Sequence, residues 1–88
     1  MLLDVRSKNE WRSGHVPGAT HVSLESLPQR LDWLRKAAAD TDVMVICRSG
    51  NRSAQATRQL GAAGIAAVNV RGGMIAWERS GLPVKKGS

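Results

Sequence analysis

Aromatic residues are scarce in this chain of 88 residues, which has no phenylalanine, no tyrosine and three tryptophans. Proteins that bind single-stranded nucleic acid stack bases on such side chains. The sequence is nevertheless basic, with 13 Lys and Arg against 7 Asp and Glu and a formal net charge of +6. Because these positive residues are scattered and stacking side chains are few, the charge argues against nucleic-acid binding. It favours a surface that attracts small anions.

Cysteine occurs once, at Cys47. A single cysteine excludes an internal disulfide and a cysteine-based metal cluster, and it suits a reducing compartment such as the cytoplasm. His15 and His21 have no ligand-like spacing relative to Cys47, so we expect no metal site and no cofactor.

Long apolar runs are also missing, although 42% of the residues are hydrophobic. No run is long enough to cross a membrane, and the amino terminus lacks the basic segment and the long apolar region of a signal peptide. This length supports one modest core. We therefore predict a single domain over residues 1–84, followed by a disordered Lys-Lys-Gly-Ser tail over residues 85–88.

Short apolar segments alternate with segments of helical composition. The predicted strands are Leu2–Val5, Thr20–Val22, Val43–Ile46 and Ala67–Val70. Four helices are predicted. The first two begin at the capping patterns of Ser7 and Ser26, the third runs from Ser53 to Gly61 or Gly64, and the fourth spans Met74–Ser80. Strands that alternate with helices over short links predict an α/β fold, with a mostly parallel sheet covered by helices on both faces.

The most informative segment is a loop of seven residues, Cys47-Arg48-Ser49-Gly50-Asn51-Arg52-Ser53. It lies between a buried strand and a helix, where backbone N–H groups converge and the positive end of the helix dipole faces the loop. A thiolate, or an anion bonded to it, is stabilised in such a place. A cysteine that closes an apolar strand can also be an inert, small hydrophobic residue. However, a cysteine that only packs in the core does not need so many hydrogen-bond donors around its sulfur. We therefore interpret Cys47 as a nucleophile.

Three motifs occur in order along the chain. The first is Leu3-Asp4-Val5-Arg6, with Glu10-Trp11 and Gly14-His15-Val16-Pro17-Gly18-Ala19; the second is the loop from Cys47 to Ser53; the third is Gly72-Gly73-Met74-Ile75-Ala76-Trp77 with Gly81-Leu82-Pro83. They are similar to the signatures of single-domain rhodaneses, a family of sulfurtransferases. Family members usually begin with an extra edge strand and helix. We therefore expect a rhodanese-like sheet without that edge element, with Ala67–Val70 exposed at an edge that a homodimer could cover.

The resemblance implies that Cys47 takes sulfane sulfur from a small anionic donor such as thiosulfate, or from a persulfide donor, and passes it to a thiol or a protein acceptor. Backbone N–H groups of Arg48 to Ser53, including those of Gly50 and Asn51, would form the cradle. Arg48 and Arg52 would attract the donor, although Arg52 could instead brace the loop. Ser49 and Ser53 would donate to the persulfide, although Ser53 could instead cap its helix.

Residues outside the loop have supporting roles in this interpretation. Asp4 and Arg6 are expected to form an ion pair that braces the loop, and Glu10 is expected to cap a helix. We expect a structural hydrogen bond for His15, and a place in the core for Trp77.

The alternatives are a sulfur relay, a non-catalytic protein-binding module and a cysteine phosphatase or arsenate reductase. Four residues separate Cys47 from Arg52, one fewer than in the phosphate-binding loop of cysteine phosphatases. The shorter ring suits a single sulfur atom better than a tetrahedral oxyanion.

Overall fold

A four-stranded parallel sheet forms the centre of the computed structural model, which describes residues 1–88. The strands are β1 (Leu2–Asp4), β2 (Thr20–His21), β3 (Val43–Ile46) and β4 (Ala67–Asn69). They lie in the order β2-β1-β3-β4, and every neighbouring pair is parallel. The predicted α/β fold with a parallel sheet is confirmed.

Four α-helices connect or follow the strands: α1 (Lys8–Ser13), α2 (Leu27–Ala37), α3 (Asn51–Ala62) and α4 (Gly73–Arg79). The capping box predicted at α1 is present, since Ser7 and Glu10 cap each other's backbone N–H groups. Ser26 stands at the N-cap position of α2 as predicted, but its side chain makes no capping hydrogen bond. A 3-10 turn over Leu24–Ser26 leads directly into α2, so Ser26 already has helical backbone angles and makes no side-chain cap. No helix has the length and apolar character needed to cross a membrane.

Two apolar clusters pack against opposite faces of the sheet, because side chains alternate between the faces along each strand. The larger cluster joins Leu3, Val43 and Val45 of the strands to buried residues of α2 and α3. In the smaller cluster, Ile46 contacts Val16 and Met74, with Trp77 and other half-buried residues packed around them. Trp77, which we predicted in the core, is only half-buried at its edge. Its indole N–H donates to the carbonyl of Pro83 at 2.8 Å.

The edge position predicted for the last strand is confirmed, since β4 pairs only with β3. Val68 in β4 and its partner Met44 in β3 are both about half exposed, at 52% and 50%. The outer backbone groups of β4 are consequently free of any partner strand.

Residues 85–88, which we predicted to form a disordered tail, make backbone hydrogen bonds to the region of α1 and the turn after it. Lys85 and His15 form an antiparallel bridge, in which their N–H groups donate to each other's carbonyls at 2.8 and 2.9 Å. The N–H of Gly87 donates to the carbonyl of Arg12 at 2.8 Å. The composition of the tail does not reveal these hydrogen bonds, and disorder of residues 85–88 stays a prediction.

Candidate active site

Cys47 directly follows β3, and the helix after the loop begins at Asn51 rather than at the predicted Ser53. Gly50 occupies the cap position with φ 114°, a left-handed conformation that favours glycine. The alternative in which Ser53 caps this helix is therefore wrong, because Ser53 lies inside the first turn. Its hydroxyl oxygen instead lies 3.2 Å from Cys47 Sγ.

The sulfur of Cys47 is surrounded by donors. The N–H of Gly50 donates to Sγ at 3.1 Å, and the Ser53 hydroxyl is the second close partner. Cys47 is only 1% exposed. This burial raises the pKa of the thiol, but hydrogen bonds from the Ser53 side chain and from the amides of Ser53, Gly50 and Ser49 outweigh it. The net effect lowers the pKa of Cys47 below its ordinary value.

Helix α4 sets the orientation of the first two peptide groups of the loop. The N–H groups of Met74 and Ile75 donate to the carbonyls of Cys47 and Arg48 at 2.8 and 3.1 Å. In a planar trans peptide, the C=O and the following N–H point in opposite directions. The N–H groups of Arg48 and Ser49 therefore point away from α4, and that of Ser49 helps to lower the pKa of Cys47.

Arg52 makes a contact that favours the bracing role, one of the two alternatives left open by the sequence. Its guanidinium forms a two-point ion pair with the Glu10 carboxylate, at 2.6 and 2.8 Å. The hydrogen bond from Arg52 lowers the pKa of Glu10 from 4.5 to about 2. Glu10 also caps α1 as predicted, so one carboxylate ties that helix to the loop. The hydrogen bond to Glu10 is the main cause of a raised pKa of Arg52, and attraction to Cys47 adds to it.

Arg48, in contrast, is exposed and takes part in none of the ion pairs of the structure. It lines a cleft beside α4, together with Arg6, Arg79 and the acidic residue Glu78. Its guanidinium therefore has no carboxylate partner within salt-bridge distance.

The predicted ion pair between Asp4 and Arg6 is present and almost completely buried, with Arg6 Nη2 2.8 Å from Asp4 Oδ2. A second Arg6 hydrogen bond from the same nitrogen goes to the carbonyl of Gly14 at 2.7 Å. The pair therefore braces the turn at Gly14, and none of its hydrogen bonds reaches the loop from Cys47 to Ser53. Support of the loop by this pair therefore stays a prediction.

His15 has the structural contacts that we expected. Its Nδ1 lies 2.8 Å from the carbonyl of Trp11, and its ring stacks on the indole of Trp11 at 3.6 Å. His21 also stacks on Trp11, and its Nε2 lies 2.8 Å from the carbonyl of Arg6. No group of three His, Cys, Asp or Glu side chains in residues 1–88 could hold a metal ion.

Asn69 is the site residue that the sequence analysis missed. It ends β4, beside the point where β3 leads into the loop. Ser53 Oγ donates to Asn69 Oδ1 at 2.5 Å, and Asn69 Nδ2 donates to the carbonyl of Gly50 at 3.2 Å. A polar residue at the carboxyl end of a predicted neighbouring strand was the available signal, since ligand sites of open α/β sheets lie at that edge.

The chain is similar to known proteins over most of its length. The family pattern described as a rhodanese-like domain matches residues 1–80. A protein named Sulfurtransferase from Allochromatium vinosum is 41% identical over 85 residues, which are 96% of this chain and 77% of that protein. Thiosulfate sulfurtransferase 16, chloroplastic, of Arabidopsis thaliana is 34% identical over 94% of this chain and 78% of its own length.

A solved structure has the same fold. The crystal structure of a rhodanese-related protein from Thermoplasma volcanium superposes with a TM-score of 0.87 and 33% sequence identity. The match covers 96% of this chain and 81% of that one. The four parallel strands and their helices therefore form a known arrangement.

Proposed function

Since the chain belongs to the rhodanese-like domain family, we propose that it is a sulfurtransferase that carries sulfane sulfur as a persulfide on Cys47. The observation that carries this proposal is the environment of Sγ, which has the Gly50 N–H at 3.1 Å and the Ser53 hydroxyl at 3.2 Å. A reactive thiolate needs a lowered pKa, and these donors supply it against the cost of burial.

The reaction has two displacement steps on sulfur. The Cys47 thiolate attacks the outer sulfur of thiosulfate, a new S–S bond forms, and the bond to the sulfonate group breaks. Sulfite leaves with the electron pair of that bond, the Cys47 sulfur becomes neutral, and the outer sulfur keeps its negative charge in the persulfide. An acceptor thiolate, or cyanide in an assay, then attacks that outer sulfur and releases the Cys47 thiolate.

The loop residues divide the remaining work. The amides of Ser49, Gly50 and Ser53 stabilise negative charge on the sulfur without having to reorganise during the reaction. Asn51 opens α3 and contributes its N–H to the positive end of that helix. Arg48 attracts the anionic donor, because it is exposed and has no carboxylate partner. Arg52 acts mainly through its ion pair with Glu10.

Thiosulfate is the proposed small donor, and a thiol or a protein is the proposed acceptor. The formal charge of +6 favours an anionic donor, and one relative is named a thiosulfate sulfurtransferase. A reducing compartment such as the cytoplasm would keep the single cysteine as a thiol.

We also propose that a second copy covers the free edge of β4. Val68 is 52% exposed in that strand, and its outer backbone groups have no partner strand. Sedimentation should detect a dimer that weakens when Val68→Lys places a charge at the edge. A wild-type monomer at high concentration would contradict the dimer.

Intact mass tests the sulfurtransferase directly. Incubation with thiosulfate should raise the mass of the wild-type chain by one sulfur atom, and cyanide or dithiothreitol should reverse the gain. Cys47→Ala should show neither the gain nor turnover. An unchanged wild-type mass with thiosulfate and with a persulfide donor would instead support a binding module, in which the buried Cys47 is idle.

A further inference from the structure

Asn69 hydrogen-bonds to both residues that hydrogen-bond to Cys47 Sγ, although it does not hydrogen-bond to the sulfur itself. Its Oδ1 accepts from the Ser53 hydroxyl, and its Nδ2 donates to the carbonyl of Gly50. The residue lies at a fixed place in the sheet, in register with Val45 of the central strand. A rigid strand therefore carries a side chain that links the two sulfur donors.

The orientation of the Asn69 amide follows from its partners. The Gly50 carbonyl can only accept, so the NH₂ group of Asn69 must face it. The amide oxygen is then directed at Ser53, and the flipped amide would place two acceptor oxygens in contact. In this orientation, Asn69 holds Ser53 Oγ at 3.2 Å from Sγ. It also holds the carbonyl of Gly50, the residue whose N–H donates to the sulfur.

We propose that Asn69 is a positioning residue of the active site, which holds the Ser53 hydroxyl and the Gly50 peptide beside Cys47 Sγ, so that the one hydroxyl hydrogen of Ser53 can turn from Asn69 to the sulfur when Cys47 is a thiolate. Asn69 acts through these two groups and not on the substrate. The inference rests on the proposed function for its catalytic meaning. Its main readout is the reactivity of the thiol, which does not require sulfur transfer.

The direction in which removal of Asn69 shifts the pKa of Cys47 distinguishes two roles, positioning of Ser53 and Gly50 or competition with the sulfur for the Ser53 hydrogen. Ser53 has one hydroxyl hydrogen, and both Asn69 Oδ1 and Cys47 Sγ can accept it. If Asn69 only competed for that hydrogen, its removal would free the hydroxyl for the sulfur and lower the pKa of Cys47. If Asn69 positions Ser53 and Gly50, its removal loosens both donors and raises that pKa.

The experiment measures iodoacetamide alkylation of Cys47 against pH in Asn69→Ala. Below the pKa of the thiol, we expect alkylation about tenfold slower than in the wild type, the effect of weakening one hydrogen bond to a charged group. Asn9→Ala is the matched control, because Asn9 is an exposed asparagine whose side chain makes no hydrogen bond. Melting temperature and circular dichroism establish that each variant is folded.

Two further variants keep the proposal falsifiable if Asn69→Ala folds poorly. Asn69→Asp preserves the shape but replaces the donor to Gly50 with a charged acceptor, so it should slow alkylation at least as much. In a Ser53→Ala background, Asn69→Ala should have a smaller effect than in the wild type. Unchanged or faster alkylation in folded Asn69 variants would overturn the positioning role. Slower alkylation with no sulfur uptake by the wild type would leave the positioning role intact and refute the proposed function.

Discussion

Arg52 and Glu10 form a two-point ion pair, at 2.6 and 2.8 Å, between the loop that contains Cys47 and helix α1. The two residues are 42 positions apart in the chain. Their contact gives a loop arginine a structural partner and leaves Arg48 as the unpaired arginine of the loop. The two arginines should therefore respond differently to substitution.

The first prediction concerns the stability that this ion pair provides. Glu10→Gln removes the charge but keeps an oxygen that can accept the capping bonds of Ser7. Since both side chains are about one third exposed, at 35% and 30%, we expect a loss of about 0.5–1 kcal/mol in the free energy of unfolding at neutral pH.

The pH dependence of that loss follows from the lowered pKa of Glu10. Arg52 holds the folded pKa at about 2, against an ordinary value of 4.5. The contribution is therefore fully present above about pH 4.5 and is lost as the pH falls toward 2. Urea unfolding of wild type and Glu10→Gln should converge over this range. The exposed residue Glu25, for which the structure gives no ion pair, supplies the control Glu25→Gln. An equal loss in both variants would count against the ion pair.

The second prediction separates Arg48 from Arg52 by kinetics. Arg48→Ala should raise KM for thiosulfate several-fold, because an attraction of about 1 kcal/mol or more between close charges is lost. The effect should shrink with added salt and should be small for a neutral persulfide donor. Arg58→Ala, at an exposed position on α3, controls for the loss of one positive charge. An equal rise in KM in both variants would assign the effect to net charge.

The fold was predictable because its elements depend on local patterns. The apolar run Val43–Ile46 and the capping box at Ser7 each agree with a pattern of a few residues, and both were confirmed. Contacts between distant segments were not predictable in the same way. The pairing of Arg52 with Glu10 and of Lys85 with His15 depends on how elements meet in space, which no local pattern encodes.

The site shows the same division. The strand-to-helix position of Cys47 was evident from the sequence, but the role of Ser53 depended on where α3 begins. A helix that starts at Asn51 turns the Ser53 hydroxyl toward the sulfur and toward Asn69. Asn69 itself was missed, because a lone asparagine at a strand end has many uses.

The third prediction tests the close approach of α4 to the loop. A Cβ added at Gly73 would lie 2.3 Å from the carbonyl oxygen of Cys47 and 2.5 Å from that of Arg48, and φ is +52° there. Gly73→Ala should therefore displace the first peptides of the loop and slow alkylation of Cys47, besides lowering the melting temperature.

Gly81→Ala is the matched control for Gly73→Ala. Gly81 also has a positive φ, +72°, but a Cβ there would meet no atom within 4 Å. Gly81→Ala should lower the free energy of unfolding only by the strain of a left-handed alanine, about 1–2 kcal/mol, and should leave the reactivity of the Cys47 thiol unchanged. Similar melting temperatures and similar alkylation rates in the two variants would show that the contact between α4 and the loop does not matter.

The last prediction concerns the pH at which Cys47 becomes reactive. Burial raises the pKa of the thiol, but the hydrogen bonds from Ser53, Gly50 and Ser49 together lower it by more than burial raises it. The pKa of Cys47 therefore lies below the ordinary value of 9.0. Alkylation and sulfur uptake depend on the thiolate, so both should rise with pH and reach half of their maximum below that value. The urea-denatured chain provides an internal control, because it contains the same cysteine without the cradle. The half-point of the native protein should lie clearly below that of the denatured one. A native half-point equal to or above the denatured one would mean that desolvation dominates, and Cys47 would then be a poor nucleophile at neutral pH.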